Sequence, residues 1–107
     1  MTTLHIEHPI TDYDVWRAAF DGFEQLRAAA GVRAQRVWRP IDDDRYVVIQ
    51  LDFQHPERAA GFLDVLRTRV WANRDQSPAL LGEPRTVILA SADHIDAAPT
   101  TSANAAE

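Results

Sequence analysis

Two stretches of this chain alternate apolar and polar residues, and each is followed at once by a stretch with helical spacing. The first alternating stretch is residues 3–9, and the second is residues 45–53, with the sequence RYVVIQLDF. Alternation with a period of two is typical of a strand with one buried face. Apolar residues three and four apart are typical of an amphipathic helix. The chain therefore carries two strand–helix units, each of which needs a further strand beside it.

Turn and cap residues set the limits of these elements. Pro9 cannot donate to a strand ladder and ends the first strand, after which Thr11 or Asp12 caps a helix. Gly31 favours the left-handed conformation that ends many helices, and Pro56 suits the first position of the second helix. The predicted elements are a strand at residues 3–9, a helix at 12–30, strands at 32–39 and 45–53, a helix at 56–73 and a strand at 85–92.

This order predicts an α+β, ferredoxin-like βαββαβ fold, in which a four-stranded antiparallel sheet has two helices on one face. We expect residues 1–95 to form a single domain. Residues 96–107, which include no large apolar side chain, are expected to be a disordered tail. Gly61 lies inside the second helix, where glycine is unfavourable, so we expect close packing there.

The helices leave the second face of the sheet uncovered. Val48, Ile88 and either Val37 or Trp38 are expected on that face. The simplest cover is the same face of a second copy, which predicts a two-fold symmetric homodimer.

Charge and composition exclude several classes of partner. The chain has 16 acidic and 11 basic residues, a formal net charge of -5, which argues against a nucleic-acid partner. No apolar run is long enough to cross a bilayer, and the N-terminus does not resemble a signal peptide. There is no cysteine, and hence no thiolate chemistry. We therefore expect a cytoplasmic protein without a membrane or nucleic-acid partner.

The first strand carries two histidines and a glutamate that suggest chemistry. His5 and Glu7 share one face of the strand and His8 points to the other, so the three cannot bind one metal ion. Asp52 on the neighbouring strand could complete a metal site with His5 and Glu7. The favoured interpretation is a polar pair without metal, and no cofactor is expected. His8 is open to two interpretations, an acid–base group or a histidine packed under the first helix and bonded to backbone.

The segment HPITDYDVWRAAFD resembles the H-x-V-x-D-Y-D-x-W-K-x-x-F-D signature of small bacterial proteins of the dimeric α/β-barrel superfamily. Residues 42–63 also resemble that family, and the likeness covers roughly residues 3–93. Arg17 stands where the family usually has lysine, which keeps the charge. The matching residues are His8, Ile10, Asp12, Tyr13, Asp14, Trp16, Phe20 and Asp21.

The resemblance implies a homodimer with a pocket for a small organic molecule, between the sheet and its helices or between subunits. The superfamily includes antibiotic-biosynthesis monooxygenases and isomerase-like enzymes, so the implied activity is cofactor-independent oxidation or isomerisation. His8 and Tyr13 are the expected catalytic residues. The expected substrate-binding residues are Trp16, His5, Gln50 and Asp52. A non-catalytic ligand-binding or interaction module is the alternative, because every signature residue also has a packing explanation, and haem binding is a third option.

Overall fold

A four-stranded antiparallel sheet forms one layer of the molecule, and helices cover one of its faces. The computed structural model describes residues 1–93, so the tail expected at residues 96–107 lies outside them. The elements in chain order are β1 (Thr2–Pro9), α1 (Tyr13–Gly22), α2 (Glu24–Ala30), β2 (Ala34–Trp38), β3 (Tyr46–Phe53), α3 (Pro56–Val65), a π-helical turn (Leu66–Val70) and β4 (Arg85–Ala90). The strands lie in the order β2-β3-β1-β4, which confirms the ferredoxin-like arrangement.

The two central strands supply the floor of the hydrophobic core. Leu4 of β1 lies opposite Leu51 of β3, and Ile6 lies opposite Ile49, so the alternating apolar residues fall on one face. We call this the inner face, and the opposite one the outer face. Phe62 of α3 and Trp16 of α1 are buried above the inner face. The period-two pattern therefore placed the core correctly.

The first predicted helix, residues 12–30, is two helices rather than one. Asp12 caps α1, with its Oδ2 accepting a hydrogen bond from the Val15 amide at 3.0 Å. Gly22, a poor helix former, ends α1, and α2 begins one residue further on, after Phe23. At the break the Phe20 carbonyl accepts from the Phe23 amide at 3.1 Å, and the Arg27 guanidinium also donates to it at 2.6 Å. The expectation of one continuous helix was therefore wrong.

The second predicted helix changes its winding near its end. After α3 the backbone forms a π-helical turn, in which the Trp71 amide donates to the Leu66 carbonyl at 2.7 Å. The Thr68 hydroxyl donates to the Asp64 carbonyl at 2.8 Å. That carbonyl is the normal helical acceptor for the Thr68 amide, so the side chain competes with the α-helical bond. Gly61 has no atom within 4 Å of an added Cβ, so the expected close packing there was wrong.

The outer face differs in one strand from the expectation. Val48 and Trp38 lie opposite each other on this face, as predicted. Ile88 instead lies opposite Leu4 and faces inward. Residues 87–90 of β4 are all apolar, so the phase of this strand could not be deduced from alternation. Its outward apolar residues are Val87 and Leu89. Within the described part of the chain, no helix has the length and apolar character needed to cross a membrane.

Candidate functional site

A cavity of about 80 Å³ lies between the inner face and the helices. Its floor is β1 and β3, and its walls come from α1, α2, α3, the π-helical turn and residues 76–80. The loop holding residues 76–80 is fixed to the end of β1, because the Thr11 amide donates to the Ala79 carbonyl at 2.9 Å. Most of the lining is apolar. Its polar or charged members are His8, Arg27, Gln76 and Ser77.

His8 occupies the floor of this cavity near the end of β1. Its side chain is buried, with 3% exposed, and the Trp16 ring lies edge-on to it at 6.5 Å between centroids. The His8 Nδ1 lies 2.9 Å from the Pro9 carbonyl oxygen. A carbonyl can only accept, so Nδ1 carries the proton and Nε2 of the neutral ring has a free lone pair. Burial lowers the pKa of His8 below its ordinary value, which the bond to Pro9 offsets in part.

Arg27 is the one charged residue in the described cavity wall. It is almost fully buried, with 4% exposed, and its guanidinium stacks on the Phe20 ring at 3.8 Å. Its Nε donates to the Gln35 side-chain oxygen at 2.9 Å. Burial lowers the pKa of Arg27, and the charges of Asp21 and Glu24 offset part of that effect. The guanidinium nevertheless remains charged at neutral pH.

Tyr13 lies beside the cavity rather than in its wall. Its ring is 5.8 Å from that of Trp16, and the Arg39 guanidinium lies over it at 4.0 Å. Of the two residues expected to be catalytic, the structure therefore brings only His8 into contact with the cavity. Trp16, expected to bind substrate, lies in the wall next to it.

The other three predicted site residues, His5, Gln50 and Asp52, lie on the outer face. The His5 Nε2 and the Glu7 carboxylate are 2.8 Å apart, so these two form a polar pair. Hydrogen bonds from His5 and Tyr46 lower the pKa of Glu7, and the bond from His5 has the larger effect. Gln50 lies 3.3 Å from the His5 ring nitrogen. A molecule inside the cavity cannot touch these side chains, because the sheet separates them from it.

Asp52 belongs to the same outer-face network. The Arg36 guanidinium donates to both of its carboxylate oxygens, at 2.9 and 2.8 Å, and the Thr3 hydroxyl donates at 2.7 Å. These hydrogen bonds lower the pKa of Asp52, and those from Arg36 have the largest effect. His5, Glu7 and Asp52 do not converge, and no group of three His, Asp or Glu residues within residues 1–93 is arranged to hold a metal ion.

Sequence reasoning missed Arg27 and Trp71. Arg27 follows Phe20 by seven residues and Phe23 by four, a spacing that places an arginine on the apolar side of the helix. This was a usable signal. Trp71 faces the cavity because of the π-helical turn, and no local pattern predicts that turn.

Comparison with known proteins supports the fold and does not specify an activity. No protein-family model matches the chain, and no curated protein matches it. A provisionally named antibiotic biosynthesis monooxygenase from Deinococcus radiodurans superimposes with a TM-score of 0.71 at 10% identity, covering 92% of this chain and 100% of that one. A dimeric ferredoxin-like protein from an uncultured marine organism gives 0.61 at 9% identity, covering 88% and 97%.

A third structure has a stated activity. SnoaB, a cofactor-independent oxygenase from Streptomyces nogalater, superimposes with a TM-score of 0.56 at 12% identity, covering 88% of this chain and 95% of that one. At these identities the likeness establishes the shared ferredoxin-like fold. Because one fold hosts many activities, the residues of the cavity decide which activity this chain can have.

Proposed function

We propose that this protein binds a small organic molecule in the cavity between sheet and helices, and that His8 acts on it as a general base. The reaction class is a cofactor-independent oxidation or isomerisation. The observation that carries the proposal is the state of His8: a buried, neutral imidazole whose Nδ1 proton is held by the Pro9 carbonyl. The ring is thereby oriented with Nε2 as its free acceptor.

The chemistry needs no group beyond the substrate and dioxygen. Nε2 of His8 removes a proton from an acidic C–H of the substrate and leaves an enolate. In an oxidation, the reacting carbon is a CH₂ group. The enolate carbon gives electrons to dioxygen and forms a C–O bond, the O–O bond breaks, and the carbon becomes a carbonyl while its two hydrogens leave with the second oxygen atom as water. In an isomerisation, the proton returns to a different carbon. The aromatic wall around Trp16 keeps water away from the enolate, which strengthens the electrostatic interactions that stabilise it.

The homodimer is part of the same proposal. Trp38, Val87 and Leu89 are 54%, 48% and 42% exposed, and all three belong to the outer face. These side chains lie on the two edge strands of one uncovered sheet face, β2 and β4, and exposed apolar side chains on such a face are typical of an interface. The dimeric ferredoxin-like protein noted above has the same fold. A cytoplasmic location stays a prediction from the sequence.

A non-catalytic binding module is the second candidate, and one observation favours it. The bond from His8 to the Pro9 carbonyl, together with a mostly apolar wall, is also what a packed structural histidine would show. In that case the cavity holds a ligand without changing it. The two candidates differ only in whether His8 moves a proton.

Proton transfer can be measured on a simple carbon acid. Pentane-2,4-dione has an acidic central C–H, and its exchange with deuterium in buffered D₂O is followed by NMR. We expect the protein to accelerate exchange above the buffer rate, and His8→Gln to reduce that acceleration by about 10²-fold, the usual contribution of a general base. An oxygen electrode in the same solution separates oxidation, which consumes dioxygen, from simple proton exchange.

His5→Gln is the matched control, because it removes a histidine from the other face of the same strand. It should leave the acceleration unchanged. Equal rates for wild type and His8→Gln would refute the catalytic role of His8. Loss of the acceleration in His5→Gln alone would move the site to the outer face.

A further inference from the structure

We propose that Arg27 binds the carboxylate of the natural ligand, so that the cavity takes a compact monocarboxylic acid. The inference rests on the proposed function, because it assumes that a small organic molecule occupies the cavity. It adds the chemical class of that molecule and names the residue that selects it.

Arg27 has a buried positive charge without an ion-pair partner among the described residues. Buried charged groups are normally paired, since removing an ion from water is costly. Arg27 is more than nine-tenths buried, yet none of the ion pairs among the described residues includes it. Its hydrogen-bond partners, the Gln35 amide oxygen and the Phe20 carbonyl, are both neutral. Asp21 and Glu24 offset part of the effect of burial but form no ion pair with Arg27, and the described cavity wall itself has one positive charge and no acidic residue.

The Arg27 guanidinium also has N–H donors that no described residue uses. A guanidinium has five N–H donors, and the described contacts of Arg27 use one on Nε and one on Nη1. Nη2 makes no hydrogen bond to the described residues. No fully buried side-chain polar atom in residues 1–93 lacks a partner, so Nη2 reaches open space. A planar carboxylate can accept from two N–H groups of a guanidinium at once.

The remaining wall of the cavity is mainly apolar. Phe20, Phe23, Phe62 and Trp71 supply apolar surface to it, so the rest of the ligand must be mainly apolar. The volume of 80 Å³ is roughly half of the ~150 Å³ cavity that accommodates benzene in another protein. A short branched chain fits this space better than a ring system. A phosphate has a second negative charge, and Arg27 is the one charged residue in the described wall that could balance it.

The test compares an acid with its neutral isostere. Isobutyrate and isobutyramide have nearly the same shape and differ in charge. The chain has three tryptophans, of which Trp16 and Trp71 line the cavity and Trp38 lies on the outer face. Their indole N–H signals in a ¹H–¹⁵N NMR spectrum therefore report where a probe binds. We expect both probes to shift the Trp16 and Trp71 signals, with isobutyrate binding about tenfold tighter, as a charge-assisted hydrogen bond provides.

Two variants assign the preference to one residue. Arg27→Met should reduce the preference for the acid to within twofold. Arg69→Met removes an exposed arginine outside the cavity wall and should leave the preference unchanged. If Arg27→Met does not fold, the comparison of the two probes on the wild type still decides whether a preference exists, and Arg27→Lys, which keeps the charge, should retain part of it.

The outcomes separate the two proposals. Equal binding of acid and amide, with Trp16 and Trp71 shifting, would overturn the role of Arg27 and leave the cavity site standing. A preference for the acid that survives in Arg27→Met would also overturn it. If neither probe shifts Trp16 or Trp71, the cavity site itself fails.

Discussion

His5 and His8 lie three positions apart in one strand but have contrasting surroundings. His5 is half-buried in a polar network on the outer face, whereas His8 is enclosed beneath the helices. Desolvation disfavours the charged form of an enclosed imidazole, so His8 is held neutral. The same enclosure that suits a base therefore makes the stability of the fold depend on pH.

We expect the protein to lose stability as the pH falls below about 6.5, the ordinary pKa of histidine. The folded state lowers the pKa of His8, so the unfolded state takes up its proton first and is favoured. Urea unfolding at pH 7.5 and pH 5.5 measures the change. The loss should be smaller in His8→Gln and unchanged in His55→Gln, which removes an exposed histidine. Glu7 and Asp52 also have lowered pKa values, but their protonation reduces the stability only below about pH 4.5. An identical loss in all three proteins would contradict the assignment to His8.

At the scale of elements, the sequence predicted the four strands and their order, because alternation and caps are local signals. It predicted helix positions but not their interruptions. Arg27 of the next helix donates to the backbone beside the break at Phe23, and the Thr68 hydroxyl of the π-helical turn donates to a carbonyl of α3. The phase of β4 needs the partner strand, since residues 87–90 are all apolar and do not alternate. The cavity depends on the first two of these features, so its wall could not be fully predicted.

Two glycines in different backbone settings, one inside a helix and one at a helix end, should respond in opposite ways to alanine. Gly61 lies in α3 with open space around it, so Gly61→Ala should stabilise the fold by about 0.5–1 kcal/mol. Gly31 ends α2 at φ 95°, a left-handed conformation, so Gly31→Ala should destabilise it by about 1 kcal/mol. Thermal or urea unfolding measures both. Destabilisation by Gly61→Ala would show that the helix packs against something there.

At the scale of the whole molecule, the sheet divides two kinds of surface. The inner face holds the cavity with His8 and Arg27, whereas the outer face combines a polar network with exposed apolar residues. The proposed dimer would cover the outer face and leave each cavity within one subunit. Ligand binding and assembly should therefore be separable by substitution.

We expect sedimentation velocity to show a dimer for the wild type and a monomer for Val87→Glu, because taking a carboxylate out of water at the interface is costly. Ile41→Glu is the matched control, since Ile41 is fully exposed in the turn between β2 and β3. It should remain dimeric. A wild-type monomer at micromolar concentration would refute the proposed assembly.

The central claim is that the inner cavity, and not the outer face, binds the small organic molecule. The indole ¹H–¹⁵N spectrum during titration with pentane-2,4-dione tests it most directly. We expect the signals of Trp16 and Trp71 to shift with saturation and that of Trp38 to stay in place. A shift of Trp38 alone, or no shift of any tryptophan, would contradict it.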